Sequence, residues 1–186
     1  MLRSLVILSA LALSTAHAGA ADILQRLAEP RTHAVMRHAL APGSGDPNAF
    51  DLNHCETQRN LSNDGRRQAG RAGDMVRAAG VTIDHLWTSQ YCRCRETAEI
   101  MAVGEVVDKP FLNSFIRDSH RRVERMRRLR EALAALPDQE TAFLVTHNVN
   151  AEELTGTRPV SGEIQVIRLE EDGSVTILGS VRPNTF

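Results

Sequence analysis

The 186-residue chain predicts an α/β fold, a three-layer α/β/α sandwich around a mainly parallel central sheet. Three observations carry that expectation. Short apolar runs alternate with helical segments along most of the chain. A content of 42% hydrophobic and 24% charged residues suffices for one real core. No internal repeat and no interdomain linker interrupts the pattern.

The elements follow in order. Residues 21–28 (ADILQRLA) read as a short helix stopped by Pro30. His33 to Met36 is the first strand. Residues 40–60 form a long polar loop rich in Gly and Pro, and a loop of that length in a compact domain is usually functional or disordered. Ser62 caps a helix that runs to about Ala79 and stops at Gly80. Ile83 to Thr88 is strand two, Cys92 to Met101 a helix, and Glu105 to Asp108 strand three. Ser119 to Leu136 is an amphipathic helix, with Val123, Met126, Leu129, Leu133 and Leu136 at helical spacing. Its arginine-rich face reads as solvated, or alternatively as a docking patch for an acidic partner. Ala142 to Val145 is strand four, followed by a short helix near Val149 to Leu154. Ile164 to Leu169 and Val175 to Leu178 read as a terminal hairpin turning at Asp172-Gly173.

The N-terminus reads as a targeting segment. Met1-Leu2-Arg3 is a basic start, Ser4 to Leu13 an apolar run, and Ala16-His17-Ala18 a small-residue cleavage site. The expected organisation is a signal peptide over 1–18 and a single domain over 21–186. The protein is then periplasmic or secreted, with no stable membrane insertion after cleavage, since the apolar run is too short to span a bilayer. A net charge of −1 excludes whole-molecule attraction to nucleic acid. Export permits a disulfide, so Cys55 is expected to pair with Cys92 or Cys94 and pin the 40–60 loop. Two small buried cysteines are the alternative.

In an open α/β sheet the ligand sits beyond the carboxyl ends of the strands. Strand one ends in Arg37-His38. Strand two runs into Ser89-Gln90-Tyr91-Cys92-Arg93, where a helix starts, and strand four ends in Thr146-His147. Three strands therefore deliver two arginines and two histidines to one rim. Guanidinium forks hold phosphate oxygens in pairs. A helix starting at Arg93 adds N–H donors and a positive dipole end. One imidazole can attack phosphorus, and a second can steady charge on the oxygens. No Walker loop, dinucleotide fingerprint or nucleophile elbow occurs, and the acidic clusters of two-metal phosphatases are missing. His33, His38, His54 and His147 lack a regular ligand spacing, so neither a metal nor another cofactor is expected.

Four segments, AVMRHA (Ala34–Ala39), RNLSNDGRRQA (Arg59–Ala69), TSQYCRCRETA (Thr88–Ala98) and VTHN (Val145–Asn148), together resemble the successive motifs of the histidine phosphatase superfamily, the phosphoglycerate-mutase-like fold. The resemblance covers about Thr32 to Leu154. It implies that His38 is the nucleophile that becomes phosphohistidine, that Arg37 and Arg93 grip the phosphoryl oxygens, and that His147 completes the pocket. Arg59 is a candidate for substrate binding, and Thr97 for packing behind the site. A backbone carbonyl near the loop is expected to hold the other nitrogen of His38. The size and the targeting segment resemble exported members that act on phosphorylated sugars of the lipopolysaccharide core.

The pattern departs from the family at the proton donor. One branch carries a Glu after strand three, where this chain has Asn113. The other carries an Asp after the second histidine, where this chain has Asn148. Glu163 and Asp118 are the candidate donors, with Asp46 and Asp51 behind them. The expected activity is metal-independent hydrolysis of a small phosphorylated substrate. A non-catalytic phosphate or phospho-sugar binding protein is the alternative.

Overall fold

The structure is a computed structural model that describes residues 19–183. The expected signal peptide therefore lies outside the described residues. Among those described, no helix is long and apolar enough to cross a membrane. The elements are α1 (19–25), β1 (Thr32–Arg37), α2 (Asn63–Ala78), β2 (His85–Thr88), α3 (Cys92–Met101), β3 (Val106–Asp108), α4 (Arg122–Ala134), β4 (Ala142–Thr146), α5 (Asn148–Thr155), β5 (Ile164–Leu169) and β6 (Val175–Val181). The six strands form one sheet in the order β3-β2-β4-β1-β5-β6. The first four run parallel, and β5 and β6 add antiparallel to the side of β1. This is the expected α/β architecture, with the terminal hairpin as its antiparallel edge.

Period-two alternation along β1 divides the core. Ala34 and Met36 face one layer with Val76 and Ala72 of α2 and Ala98 and Met101 of α3. Val35 faces the other, with Met126, Leu129 and Leu133 of α4 and Ala151 and Leu154 of α5. Helices cover both faces, so the central strands are continuous apolar runs, as a parallel sheet requires. Burying such runs stabilises by roughly 1.5–3 kcal/mol per large aliphatic side chain.

One core assignment fails. Val123 was expected on the apolar face of the basic helix, yet it is 76% exposed. Residues 119–121 form a separate 3-10 turn, so α4 starts at Arg122 and its buried stripe begins only at Met126. Two arginines of α4 are spent on its own carboxylates: Arg127 pairs with Glu124 and Glu131, and Arg128 with Glu124, all three or four residues apart.

Backbone packing aims the carboxyl end of β1. The amide of His38 donates to the carbonyl of Thr146 at 2.9 Å, which ties β1 to the end of β4. Gly162, at φ +78°, donates its N–H to the carbonyls of Arg37 and His38. Gln68 of α2 accepts from Leu40 N and donates to Ser161 O, clamping the chain just past His38. Gly65 lets α2 approach, because a Cβ there would lie 2.0 Å from the Leu40 carbonyl oxygen.

Candidate active site

His38 is 2% exposed and held at both ring nitrogens. Its Nδ1 lies 2.8 Å from the carbonyl of its neighbour Ala39, which can only accept, so Nδ1 carries the proton. Its Nε2 is then a lone pair, and it accepts from Arg93 Nε at 3.2 Å. Burial and the charge of Arg93 hold His38 well below the usual histidine range, outweighing the Ala39 carbonyl. The ring is a neutral imidazole with its basic nitrogen aimed at a guanidinium. Thr97 fixes the same stretch from α3, accepting from Ala39 N at 3.1 Å and donating to Arg93 O at 2.6 Å.

Arg93 is the hub. It is 3% exposed, and its Nη2 donates to His147 Nδ1 at 3.4 Å. His147 is then the other tautomer, with its Nε2 proton toward Ser89 Oγ at 2.9 Å. Ser89 Oγ in turn donates to Asn113 Oδ1 at 3.0 Å, and that oxygen also accepts from Gln90 N at 2.8 Å. Burial, then Arg93, push His147 well down as well. The rings of His38 and His147 meet edge to face at 5.6 Å between centroids, and Tyr91 packs edge-on against His147 at 4.6 Å.

These groups open into a pocket beyond the carboxyl ends of β1 and β4. Its walls include His38, Arg59, Arg93, His147, Tyr91 and Asp46. Asp46 comes from the 40–60 loop and is the only carboxylic acid in that wall. Its Oδ1 and Oδ2 accept from Arg93 Nη1 at 2.7 Å and Nη2 at 3.2 Å, and Oδ1 also accepts from Arg59 N at 3.1 Å. Arg59 Nη1 donates to the carbonyls of Ala41 and Gly43.

A disulfide joins Cys55 to Cys92, the residue before Arg93, and Cys94 stays free and buried, its thiol pushed up to about 12 by burial. Gln58 reinforces the join by accepting from Cys92 N at 3.0 Å. The amide of Cys92 at the start of α3 is thereby spent on Gln58.

The structure thus brings together four of the seven residues that the sequence singled out: His38, Arg93, His147 and Arg59. Arg37 stands behind them. Its Nη1 donates to Pro159 O at 3.4 Å and its Nε is buried without a hydrogen-bond partner. Glu163 and Asp118 do not line the pocket. Glu163 accepts from Val160 N at 3.0 Å and pairs with Arg182 at 3.1 Å, so it is a turn residue. Asp118 pairs with Arg125 at 3.3 Å ahead of α4. Asn113 is consumed in orienting Ser89 and Gln90. Ser89 and Tyr91, inside the TSQYCRCRETA motif, and the rim arginine Arg117 have no role assigned from the sequence.

Residues 34–113 match the model of the histidine phosphatase superfamily (branch 1). The match takes in His38, Arg59 and Arg93. The fold is shared with solved structures at low identity. A protein histidine phosphatase SixA complexed with tungstate is 17% identical, with 82% of this chain and 97% of that chain covered and a TM-score of 0.56. The α-ribazole phosphatase from Shigella flexneri is 14% identical, covering 83% and 96%, with a TM-score of 0.59. The phosphoglycerate mutase from Plasmodium falciparum is 15% identical, covering 81% and 90%, with a TM-score of 0.54. No curated protein matches the chain.

Proposed function

We propose that this chain is an exported phosphomonoesterase that works through phosphohistidine on His38 and needs no metal. One observation carries the reading. A neutral imidazole, locked by Ala39 so that Nε2 is the free base, stands against the guanidinium of Arg93 in the wall of a pocket. Such a nitrogen is a ready nucleophile.

The surrounding charge supports an anionic guest. Burial, then Arg158 and Arg93, lower the pKa of Arg37, while burial and Arg93 lower that of Arg59. Cations crowded in this way favour an anion between them. Arg37 Nε and Arg59 Nε are buried with no acceptor, and buried unsatisfied donors call for a partner. In the proposed reaction the phosphoryl oxygens take the fork of Arg93 together with Arg59, and Arg37 adds field from behind. His38 Nε2 attacks phosphorus in line while Ala39 O steadies the cation forming on the ring. Water then cleaves the N–P bond. His147 shares the guanidinium of Arg93 and completes the wall.

Guanidiniums meet the phosphate charge here, and among the described residues no group of three or more His, Cys, Asp or Glu stands ready to hold a metal. For the alcohol half of the substrate we favour a phosphorylated sugar of the lipopolysaccharide core, on the strength of the targeting segment and the size of the domain. The solved relatives act on differing partners by their names, so the fold supports the phosphoryl chemistry and leaves the alcohol to the pocket rim.

The test is phosphate release from an aryl phosphate in EDTA by the wild type and by His38→Ala. The expected loss is about 10³-fold or more. Phosphate bound without turnover would point instead to a binding protein, and activity surviving the substitution would remove His38 from its role.

A further inference from the structure

We infer that Asp46 is the proton donor to the leaving group and the base for the second half-reaction. The inference rests on the phosphohistidine reading and supplies what that reading lacks. An ester oxygen that departs as an alkoxide needs a proton. Glu163 and Asp118 stand apart from the pocket, and amides occupy positions 113 and 148. The pocket wall nevertheless contains a carboxyl group, and it comes from the 40–60 loop.

The placement of Asp46 suits the role. Its side chain is 8% exposed, so bulk water has little access to its carboxyl group. Its oxygens sit on the two Nη groups of Arg93, while Nε of the same guanidinium faces His38. Nucleophile and carboxyl thus occupy different edges of one planar group, with the pocket beside both. Arg117 and Arg59 fix the segment: Arg117 Nη2 donates to the carbonyls of Asp46 and Pro47, and Arg59 N donates to Asp46 Oδ1. The disulfide Cys55–Cys92 ties the same loop to the residue preceding Arg93. In the free protein the carboxylate holds the seat that phosphoryl oxygens need, and an arriving phosphate takes the fork from it.

The protons balance. An ester monoanion, ROPO₃H⁻, brings one proton, which passes to Asp46 as the phosphoryl oxygens move onto Arg93. His38 Nε2 forms the N–P bond as the P–OR bond breaks, and Asp46 gives the proton to the departing oxygen, releasing ROH. Asp46, again a carboxylate, takes a proton from the water whose oxygen attacks phosphorus. The N–P bond breaks, its electron pair returns to Nε2, and Asp46 hands its proton to the hydrogenphosphate as it leaves.

The experiment compares kcat/KM for a series of aryl and alkyl phosphates with wild type and Asp46→Asn. This ratio reports the first phosphoryl transfer alone, where the donor acts. The expected result is a steeper dependence on leaving-group basicity in the variant. The alkyl-to-aryl ratio falls at least about 100-fold, the low end of what a positioned acid supplies. An unchanged ratio overturns the inference, as does a variant that simply binds inorganic phosphate more tightly with rates rising in parallel on every ester. The wild type alone gives a second reading should the variant fold poorly: a shallow leaving-group dependence supports a built-in acid, and a steep one removes it. A failure of the phosphohistidine reading looks different, because His38→Ala then retains activity or the wild type has none.

Discussion

Strand β1 has a buried histidine at each end, and the two ends of the sheet differ in what surrounds them. His33 at the start and His38 just past the end are both about 2% exposed, and both are pushed neutral by burial. At the start, the ring is used for structure: His33 Nδ1 accepts the amide of Ala142 at 3.2 Å and so helps fasten β4. Arg31 beside it is spent on the carbonyls of Leu169 and Glu170. At the other end, His38 keeps a lone pair that meets only the guanidinium of Arg93, and Arg59 Nε is left without an acceptor. A depressed histidine therefore does not mark a site. Donors left unspent around it do.

The largest test of that contrast is arginine replacement at each end. Arg93→Ala is expected to lower kcat/KM for an aryl phosphate by about 10³-fold or more, the scale of removing a charged clamp on a transferring phosphoryl group. Arg31→Ala is expected to stay within about 3-fold. Comparable losses would break the distinction between the two ends. Arg93→Ala also leaves Asp46 buried without its partner, so a lower melting temperature is expected beside the lost activity.

The second test concerns how the site is held. His38 and His147 stand on strand ends, whereas Asp46 and Arg59 ride on a loop strapped by one disulfide across 37 residues. Cys55→Ser is expected to lower the unfolding free energy by roughly 2–4 kcal/mol, the usual range for closing such a loop. It should raise KM several-fold and lower kcat as well, because the strap places both Arg59 and the proposed donor Asp46. An unchanged kcat would mean that Arg117 and Arg59 hold Asp46 in place without the strap. Under denaturing, non-reducing conditions one thiol, that of Cys94, is expected to react, and three after reduction.

The sequence made the strand-borne half legible, because a strand end fixes a side chain through backbone pairing that composition and period already announce. His38, Arg93 and His147 came out of that logic directly. The loop-borne half was legible only as candidates, Arg59 from its motif and Asp46 ranked behind Glu163 and Asp118. Asp46 sits in a stretch with no period, and contacts distant in sequence, the Cys55–Cys92 bond and those of Arg117 and Arg59, bring it to Arg93. Glu163 shows the converse. Its place at the start of β5 brings its backbone to Arg37, whose amide donates to Glu163 O at 3.3 Å, yet its carboxylate turns to Val160 N and Arg182. Val123 failed for a related reason, since helical spacing does not say on which residue the helix starts. Among the fold elements the parallel core was readable, and only boundaries moved, as at β2, which begins at His85 and not Ile83.

The third test uses pH at the structural end. His33 has its pKa lowered to about 4, chiefly by burial and then by Arg31 and His85. The unfolded chain binds a proton near the ordinary histidine value of about 6.5, so stability from this group is complete above that pH and is lost as pH falls toward 4. His38 and His147 act in the same direction. In His33→Asn, whose amide oxygen can accept from Ala142 N, the loss of unfolding free energy between pH 7.5 and 4.5 should shrink by about 2–3 kcal/mol. Denaturant unfolding at the two pH values measures this, and activity at pH 7.5 should stay within about 3-fold. An identical pH dependence in the variant would mean that His33 titrates freely.

The smallest expected effect probes the support of His147. Asn113 Oδ1 accepts from Ser89 Oγ and Gln90 N, and Ser89 Oγ receives the Nε2 proton of His147. In Asn113→Ala the buried hydroxyl of Ser89 loses its acceptor, a cost of about 1–3 kcal/mol. Ser89 can then turn its own proton toward His147 Nε2, which forces the ring to place its proton on Nδ1, against the donor Arg93 Nη2. Two donors would face each other where a donor and an acceptor met before. The consequence is a tilted Arg93 and a kcat lower by about 10-fold, with KM for the same ester raised less, since the fork still reaches phosphate. Asn113→Asp keeps an acceptor for both Ser89 and Gln90 and should recover most of kcat. If the alanine variant were as active as the wild type, the tautomer of His147 would be set by Arg93 alone.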